Sequence, residues 1–385
     1  MGNDRTWIAG LLVAIAAGVG CGADDVVTDA RIIVTGDGVL EEDCRTKVCR
    51  HNENTDLTTF EGAIYLVHRT AQSQVLNHNC SLRIYRSTDG GASFALTGII
   101  PGPTAADYPA FGDRDLRDPS FYVVNGQLAI KALVRLEIGS TRDSLVDTIA
   151  VVSTSPDSGA TWTPLAPIGP PTWSYWRIKD HAGVHYSAAY EDGDKSVKLF
   201  ASTDGTTWTP GATIYDVAAD TPLETELVFM PSGRLLALVR MDGTDEELLG
   251  NQGRLRTKVC WAMPPYDAFT CPQELDGQRL DGPVAFWHGD RLFVVARKHV
   301  LEKANRKRTA LFELGGTLEG GPLTITERAE LPSAGDTAYA GVADLDADHV
   351  LVTWYSSVLV QDEPWARAIF EDADIWQATL DLSAL

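Results

Sequence analysis

The stretch RSTDGGASF, Arg86 to Phe94, carries the spacing Ser87-x-Asp89-x-Gly91-x-Ser93-Phe94 directly after the apolar run SLRIYR. It returns twice. SPDSGATW holds Ser155-x-Asp157-x-Gly159-x-Thr161-Trp162, and STDGTTW holds a contracted copy, Ser202-x-Asp204-Gly205-x-Thr207-Trp208. Both also follow strand-like runs, DTIAVVST and SVKLFA. The residue types suit a tight turn. The Asp carboxylate can accept backbone N–H groups, Gly permits positive φ, and the aromatic closes the hairpin from below. Asp89, Asp157 and Asp204 therefore read as turn formers, not as site residues.

A longer repeat surrounds them. FEGAIYLVHR, FYVVNGQLAIKALVR, WRIKDHAGVHYSAAY, ELVFMPSGRLLALVR, AFWHGDRLFVVAR and VADLDADHVLVTWY share one grammar. An apolar strand leads through a Gly or Asp turn to a second strand ending in Arg or Tyr. The closing residues are Arg69, Arg135, Tyr190, Arg240, Arg297 and Tyr355. They are spaced 50 to 66 residues apart, and periods of this size mean propellers or arrays. Helical periodicity is nearly absent; VLEKANRKR alone suggests a short helix or an extended loop. The expectation is all-β: a six-bladed β-propeller, which leaves only short, protected strand edges.

Composition bounds the function. The chain has 385 residues, 44% of them hydrophobic, and a formal net charge of −21. Nucleic acid needs clustered Lys and Arg, and anionic membranes repel such a surface, so neither is an expected partner. The N-terminus reads as an export signal. Arg5 precedes the apolar run WIAGLLVAIAAGVG, which ends at Cys21. Small residues before a Cys resemble a bacterial lipoprotein cleavage site, although Gly18 stands where Leu is usual. Residues 1–21 are read as signal peptide, 22–44 as a polar tether and 45–385 as one propeller. The alternative is plain secretion. Any membrane contact is expected only through a lipid on Cys21. A monomer in the cell envelope is the expected state.

An exported chain permits disulfides. Cys260 and Cys271 flank WAMPPYDAFT, which a hairpin could close. Cys44, Cys49 and Cys80 are an odd set whose pairing stays open. None has paired metal spacing, and no phosphate loop or cofactor motif appears. Neither metal nor cofactor is expected. Asp344, Asp346 and Asp348 in DLDADH read as a solvated turn rather than a calcium loop.

The turns and hairpins resemble the sialidase superfamily, whose six-bladed propellers carry such motifs, called Asp-boxes, between outer blade strands. The resemblance covers roughly residues 45 to 385. It implies a propeller of sialidase type, a glycoside hydrolase acting on terminal, acidic sugars. LETELVFMPSGRLLALVR matches the family's Glu-hairpin-Arg segment, which puts Glu224 at the Glu and Arg240 at the Arg; Glu226 competes with Glu224. GDTAYAGVADLDADHVLVTWY matches the last-blade Tyr segment at Tyr339, with Ala340 where Ser is usual. The implied chemistry is a Tyr nucleophile activated by Glu, since a neutral phenol is not repelled by a substrate carboxylate. Arginines would hold that carboxylate by bidentate hydrogen bonds. Arg50, in VCRHNEN, resembles the first-blade Arg; Arg240 is the second, and Arg297 the third, ahead of Arg306 and Arg308.

One piece departs from the family. The loop TAQSQVLNHNCS contains no Asp or Glu, so the usual acid/base Asp is missing. Asp118 in DLRDPSF is the substitute from the next blade, with Asp113 and Asp115 as neighbours. Asp281 and Asp336 are expected at the same mouth, and Trp173 and Trp176 are candidate sugar platforms. The alternative function is a noncatalytic surface propeller that binds glycans or proteins.

Overall fold

The computed structural model describes residues 25–36, 43–109, 112–136, 148–191, 195–243, 255–300 and 306–385. Cys21, the signal segment and LEKAN of VLEKANRKR lie outside them. Among the described residues, no helix is long and apolar enough to cross a membrane.

The fold is an all-β propeller. Among the described residues, four sheets of four strands stand apart. They begin at the strands Arg114–Val124, Ser174–His181, Pro222–Phe229 and Asp281–His288. The remaining eight strands form one sheet. Its two halves start at His51–Phe60 and Thr337–Asp344. The expected six separate sheets are therefore not seen. The physical reason is one parallel bridge, His51 to Ala373, which joins the first and last strand groups. The N-terminal strand Val27–Val34 also pairs antiparallel with Ala373–Asp381, so the two chain ends share one sheet.

The opening strands pack side by side in chain order, and Thr337–Asp344 packs back against His51–Phe60. Apolar clusters fill the seams between successive strand groups. Tyr65, Leu82, Phe121 and Ile130 fill one, and Leu236, Val259, Val294 and Phe312 another. Each fully buried aliphatic side chain of this kind contributes about 1.5–3 kcal/mol.

The three repeated turns fold alike and staple neighbouring groups together. Ser87 Oγ donates to Asp89 Oδ1 across 2.7 Å and accepts from Gly91 N across 2.8 Å. Asp89 in turn accepts from Ser93 N at 3.0 Å. Asp157 and Asp204 repeat the pattern with Thr161 and Thr207. Each turn also offers a carbonyl to the preceding strand group. Tyr65 Oη donates to Ser158 O at 2.7 Å, Tyr122 Oη to Gly205 O at 2.9 Å, and Gln377 Nε2 to Gly91 O at 3.0 Å. Gly159 shows why Gly stands there. Its φ is +90°, and a Cβ would lie 2.7 Å from Tyr65 Cε1.

The opening strands share one more feature. Each slips register near its start, between one and four residues in, at Glu53/Asp56, Arg117/Ser120, Tyr175/Ile178, Pro222/Thr225, Asp281/Val284 and Ala338/Gly341. A bulge re-aims the side chains it carries. Several bulge residues are left-handed: Asn54 at φ +55°, Asp118 at +51°, Gly282 at +55° and Tyr339 at +49°.

Cys260–Cys271 is a disulfide, as the hairpin spacing suggested. Cys44–Cys49 is a second, and Cys80 is a buried free thiol. Asp346 accepts from the N–H groups of Asp348 and His349, the arrangement of an Asx turn.

Candidate active site

The bulges gather the candidate residues. Asn54, Asp118, Trp176 and Tyr339 line one recess with Thr55, Pro119, Ser120, Lys131 and Arg177. Every one of these except Lys131 and Ser120 lies within a bulge. Glu224 occupies the equivalent bulge of Pro222–Phe229 and stands behind Tyr339.

Tyr339 Oη donates to Glu224 Oε1 across 2.7 Å. Arg240 Nη1 donates to Glu224 Oε2 at 2.5 Å and reaches Tyr339 Oη at 3.3 Å. The Arg297 guanidinium lies over the Tyr339 ring, 5.2 Å from its centroid. Trp176 meets that ring edge-on at 5.8 Å. A side chain at Gly282 would collide with it, its Cβ 2.9 Å from Tyr339 Cγ. Tyr339 is thus held by Glu224, Arg240, Arg297, Trp176 and Gly282 while it still lines the recess.

Burial pushes the Glu224 carboxyl above its usual range; Arg240 opposes the shift, and the charges of Asp242 and Asp281 add to it. Burial, then the Glu224 charge, pushes the Tyr339 phenol well up. The pair therefore rests as a neutral phenol donating to a carboxylate whose basicity is raised. That is the ground state of a proton acceptor beside a nucleophile.

Arg240 is fully engaged. Besides Glu224 it grips Asp242 bidentately, at 2.6 and 3.0 Å, and its Nε lies 3.3 Å from Asp281 Oδ1. Asp281 is itself gripped by Arg279, at 2.7 and 3.0 Å, and by His299 Nε2 at 2.9 Å. Burial would raise the Asp281 carboxyl, but Arg240, Arg279 and His299 outweigh it and hold it well below the usual range. Burial lowers His299 to about 4 and Lys307, 2.6 Å from His299 Nδ1, to about 7.

Arg297 Nη2 donates to Asp336 Oδ1 at 2.8 Å and to Tyr355 Oη at 2.6 Å, and its Nε donates to Thr337 O at 2.7 Å. Asp118 faces the recess and accepts from Asn54 Nδ2. The substitute carboxylate from the next blade therefore shares a recess with Tyr339.

Arg50 is not brought to this cluster. Its Nε donates to Asp372 at 2.5 Å, with Glu371 at 3.6 Å, at the end of the chain. The first-group arginine in the buried network is Arg69, bound to Glu53 at 2.6 Å and to Asp115. Arg308 pairs with Asp362 at 2.8 Å. Glu226 turns the other way, accepting from Ala285 N at 2.8 Å and lying 2.6 Å from Lys179. Asp113 caps the turn at Ala105. Trp173 packs on Phe200 rather than in the recess.

The residues missed by sequence reading are Asp242, Arg279, Arg69, Glu53 and His299. One signal was present. Arg240-x-Asp242, Arg279-x-Asp281 and Asp115-x-Arg117 all place opposite charges two apart, the first two at a strand end and the third within a strand. Arg69 was also visible as a closing residue of the repeat.

No family model and no curated protein matches this sequence. Solved structures do match in fold. A protein of unknown function from Dyadobacter fermentans superposes with TM-score 0.62 at 17% identity, covering 91% of this chain and 99% of its own. The NanB sialidase from Streptococcus pneumoniae gives TM-score 0.64 at 11% identity, over 92% of this chain and 71% of that one. The alpha-L-arabinanase of Penicillium chrysogenum gives 0.58 at 15% identity, over 93% and 98%. The chain is similar to sialidase-like glycosidase propellers in fold; at these identities the likeness extends no further.

Proposed function

We propose that this protein is an exported, sialidase-like glycoside hydrolase acting on terminal sugars, with Tyr339 and Glu224 as its reacting pair. The carrying observation is the 2.7 Å hydrogen bond from Tyr339 Oη to Glu224 Oε1, with Arg240 Nη1 touching both groups. In this reading Glu224 takes the phenol proton as Tyr339 oxygen attacks the anomeric carbon. Asp118 delivers a proton to the departing glycosidic oxygen. Water then attacks the glycosyl–tyrosine bond, Asp118 takes a proton from that water, and Glu224 returns its proton to Tyr339. Neutralising Glu224 frees Arg240 Nη1 for the substrate.

The resemblance to sialidase propellers supports six blades, the eight-stranded sheet counting as two. Its halves meet through one residue pair, and an apolar cluster of Leu57, Leu66, Leu351 and Ile375 lies between them. The three Ser-Asp-Gly turns are read as Asp-boxes. Cys21 is read as a lipid attachment point on a cell-envelope monomer.

One observation favours a second reading of the sugar. Arg240 and Arg297 are both engaged by protein carboxylates, so a substrate carboxylate finds its partners taken. This favours a neutral terminal sugar over an acidic one. It is also the pattern of a noncatalytic glycan-binding propeller. Fluorogenic sialosides, uronides and neutral glycosides, tested with wild type and Tyr339→Phe, separate the three. Turnover lost in Tyr339→Phe supports the hydrolase, and the substrate turned over reports the sugar. Glycan binding without turnover supports the binder.

A further inference from the structure

Three buried side chains beside the Tyr339–Glu224 pair point at one another. His51 Nε2 lies 3.6 Å from Glu53 Oε2 and 4.0 Å from Asp336 Oδ2, beyond hydrogen-bond reach. A ligand atom from each lies within 4.8 Å of the other two. All three side chains are completely buried, and each of these inward atoms lacks a hydrogen-bond partner.

The outward atoms of the same groups are firmly held. His51 Nδ1 lies 2.8 Å from Glu371 O, which can only accept, so Nδ1 donates there and Nε2 faces the two carboxylates. Glu53 Oε1 accepts from Arg69 at 2.6 Å. Asp336 Oδ1 accepts from Arg297 at 2.8 Å, Tyr355 at 2.9 Å and Trp365 at 3.0 Å. Two carboxylate oxygens and an imidazole nitrogen that face one another in a buried space without partners are costly unless a proton or a metal cation sits between them. A ring N–H bound to carbonyl and carboxylates fixed from outside are the outer partners that orient metal ligands. Two ligands of one ion at about 2.1 Å lie roughly 3.4 Å apart at tetrahedral angles.

We propose that His51, Glu53 and Asp336 bind one divalent transition-metal ion of the Zn²⁺ or Mn²⁺ kind. One imidazole nitrogen and two carboxylate oxygens suit these ions. The site departs from the metal-free reading of the sequence, whose ligands come from opposite ends of the chain. His51 and Glu53 belong to the first opening strand, and Asp336 precedes the last. The ion thus clips the ring at the His51–Ala373 bridge, and it does so whether or not the protein is a hydrolase.

The test uses the full chain stripped with a chelator, then titrated with Zn²⁺ or Mn²⁺ alone, with Ca²⁺ in parallel. Calorimetry, elemental analysis and thermal unfolding are the readouts. The expected result is one equivalent of Zn²⁺ or Mn²⁺ and a rise in Tm of roughly 5 °C at 100-fold excess over Kd. His51→Gln and Asp336→Asn, checked for native circular dichroism, are expected to weaken uptake at least about 10-fold. Uptake below about 0.1 equivalent with no shift in Tm, uptake of Ca²⁺ alone, or unchanged uptake in folded His51→Gln would overturn the site. If neither variant folds, the wild-type stoichiometry and Tm shift decide.

Discussion

Tyr339 and Glu224 are 115 positions apart and belong to different sheets, yet the phenol of one donates to the carboxylate of the other across 2.7 Å. Both occupy the same kind of bulge in equivalent strands. If this pair reacts, Tyr339→Phe removes the nucleophile and leaves the ring packing with Trp176 intact. Turnover is expected to fall by about 10²–10⁴-fold with little change in Tm. Unchanged kcat/KM would remove Tyr339 from the chemistry.

The pH dependence follows from Glu224. Its carboxyl is raised by burial above the ordinary 4.5 and must be ionised to take the phenol proton. The acidic limb of kcat/KM is therefore expected above the ordinary carboxylate range, with activity growing as pH rises through it. In Glu224→Gln that limb disappears together with most activity. A pH–rate profile on the best substrate of the panel reads both.

Asp281 gives a stability prediction of opposite sign. Its carboxyl is held well below 3.8 in the folded chain, where burial is outweighed by Arg240, Arg279 and His299. A depressed carboxylate adds stability above its unfolded value, and that contribution is lost as pH falls below about 3.8. Removing one partner of a buried ion pair costs about 3–5 kcal/mol. Asp281→Ala is expected to lose stability of that order at neutral pH. Its stability should also vary less between pH 5 and pH 3 than wild type's, as followed by denaturant titration.

The inter-sheet staples predict a contrast between two glycines. Gly159→Ala meets both a φ of +90° and Tyr65, whereas Gly62, at φ +75°, has nothing within 4 Å of an added Cβ. The first is expected to cost about 2–3 kcal/mol and the second about 1 kcal/mol. Equal losses would mean that the seam tolerates displacement of Tyr65.

Cys80 is a further reporter. Burial first, then the charge of Asp115, pushes its thiol up to about 12. Native protein is expected to show no alkylation at Cys80, located by peptide mapping, until denaturant unfolds the chain.

Much of the fold was legible because its signals are local. Ser87, Asp89 and Gly91 build their turn from neighbours, so the spacing alone carries the geometry. The paired hairpins likewise repeat a pattern that any apolar strand–turn–strand unit must show. The merged eight-stranded sheet was not legible, since it depends on one bridge between His51 and Ala373. Glu224, Arg240 and Tyr339 came from resemblance, and the structure places them in contact. The bulges that gather them carry Asn54, Asp118, Trp176, Glu224, Gly282 and Tyr339, which share no residue type and so leave no pattern. Arg50 was misplaced for a related reason. It stands next to the first hairpin in sequence, but Glu371 and Asp372 from the far end of the chain draw it outward. The engagement of Arg240 by Asp281 and of Arg297 by Asp336 was hidden because those partners lie about 40 positions away in sequence, whereas Arg240-x-Asp242 was visible as a local pair.

The central claim is covalent chemistry at Tyr339, and trapping tests it most directly. Wild-type protein is incubated with a fluorinated glycosyl fluoride of the sugar it turns over, then digested and mapped by mass spectrometry. The account predicts one glycosyl adduct, on the peptide containing Tyr339, absent in Tyr339→Phe. An adduct on Asp118, on Glu224 or on any other residue, or turnover with no adduct at all, would contradict it.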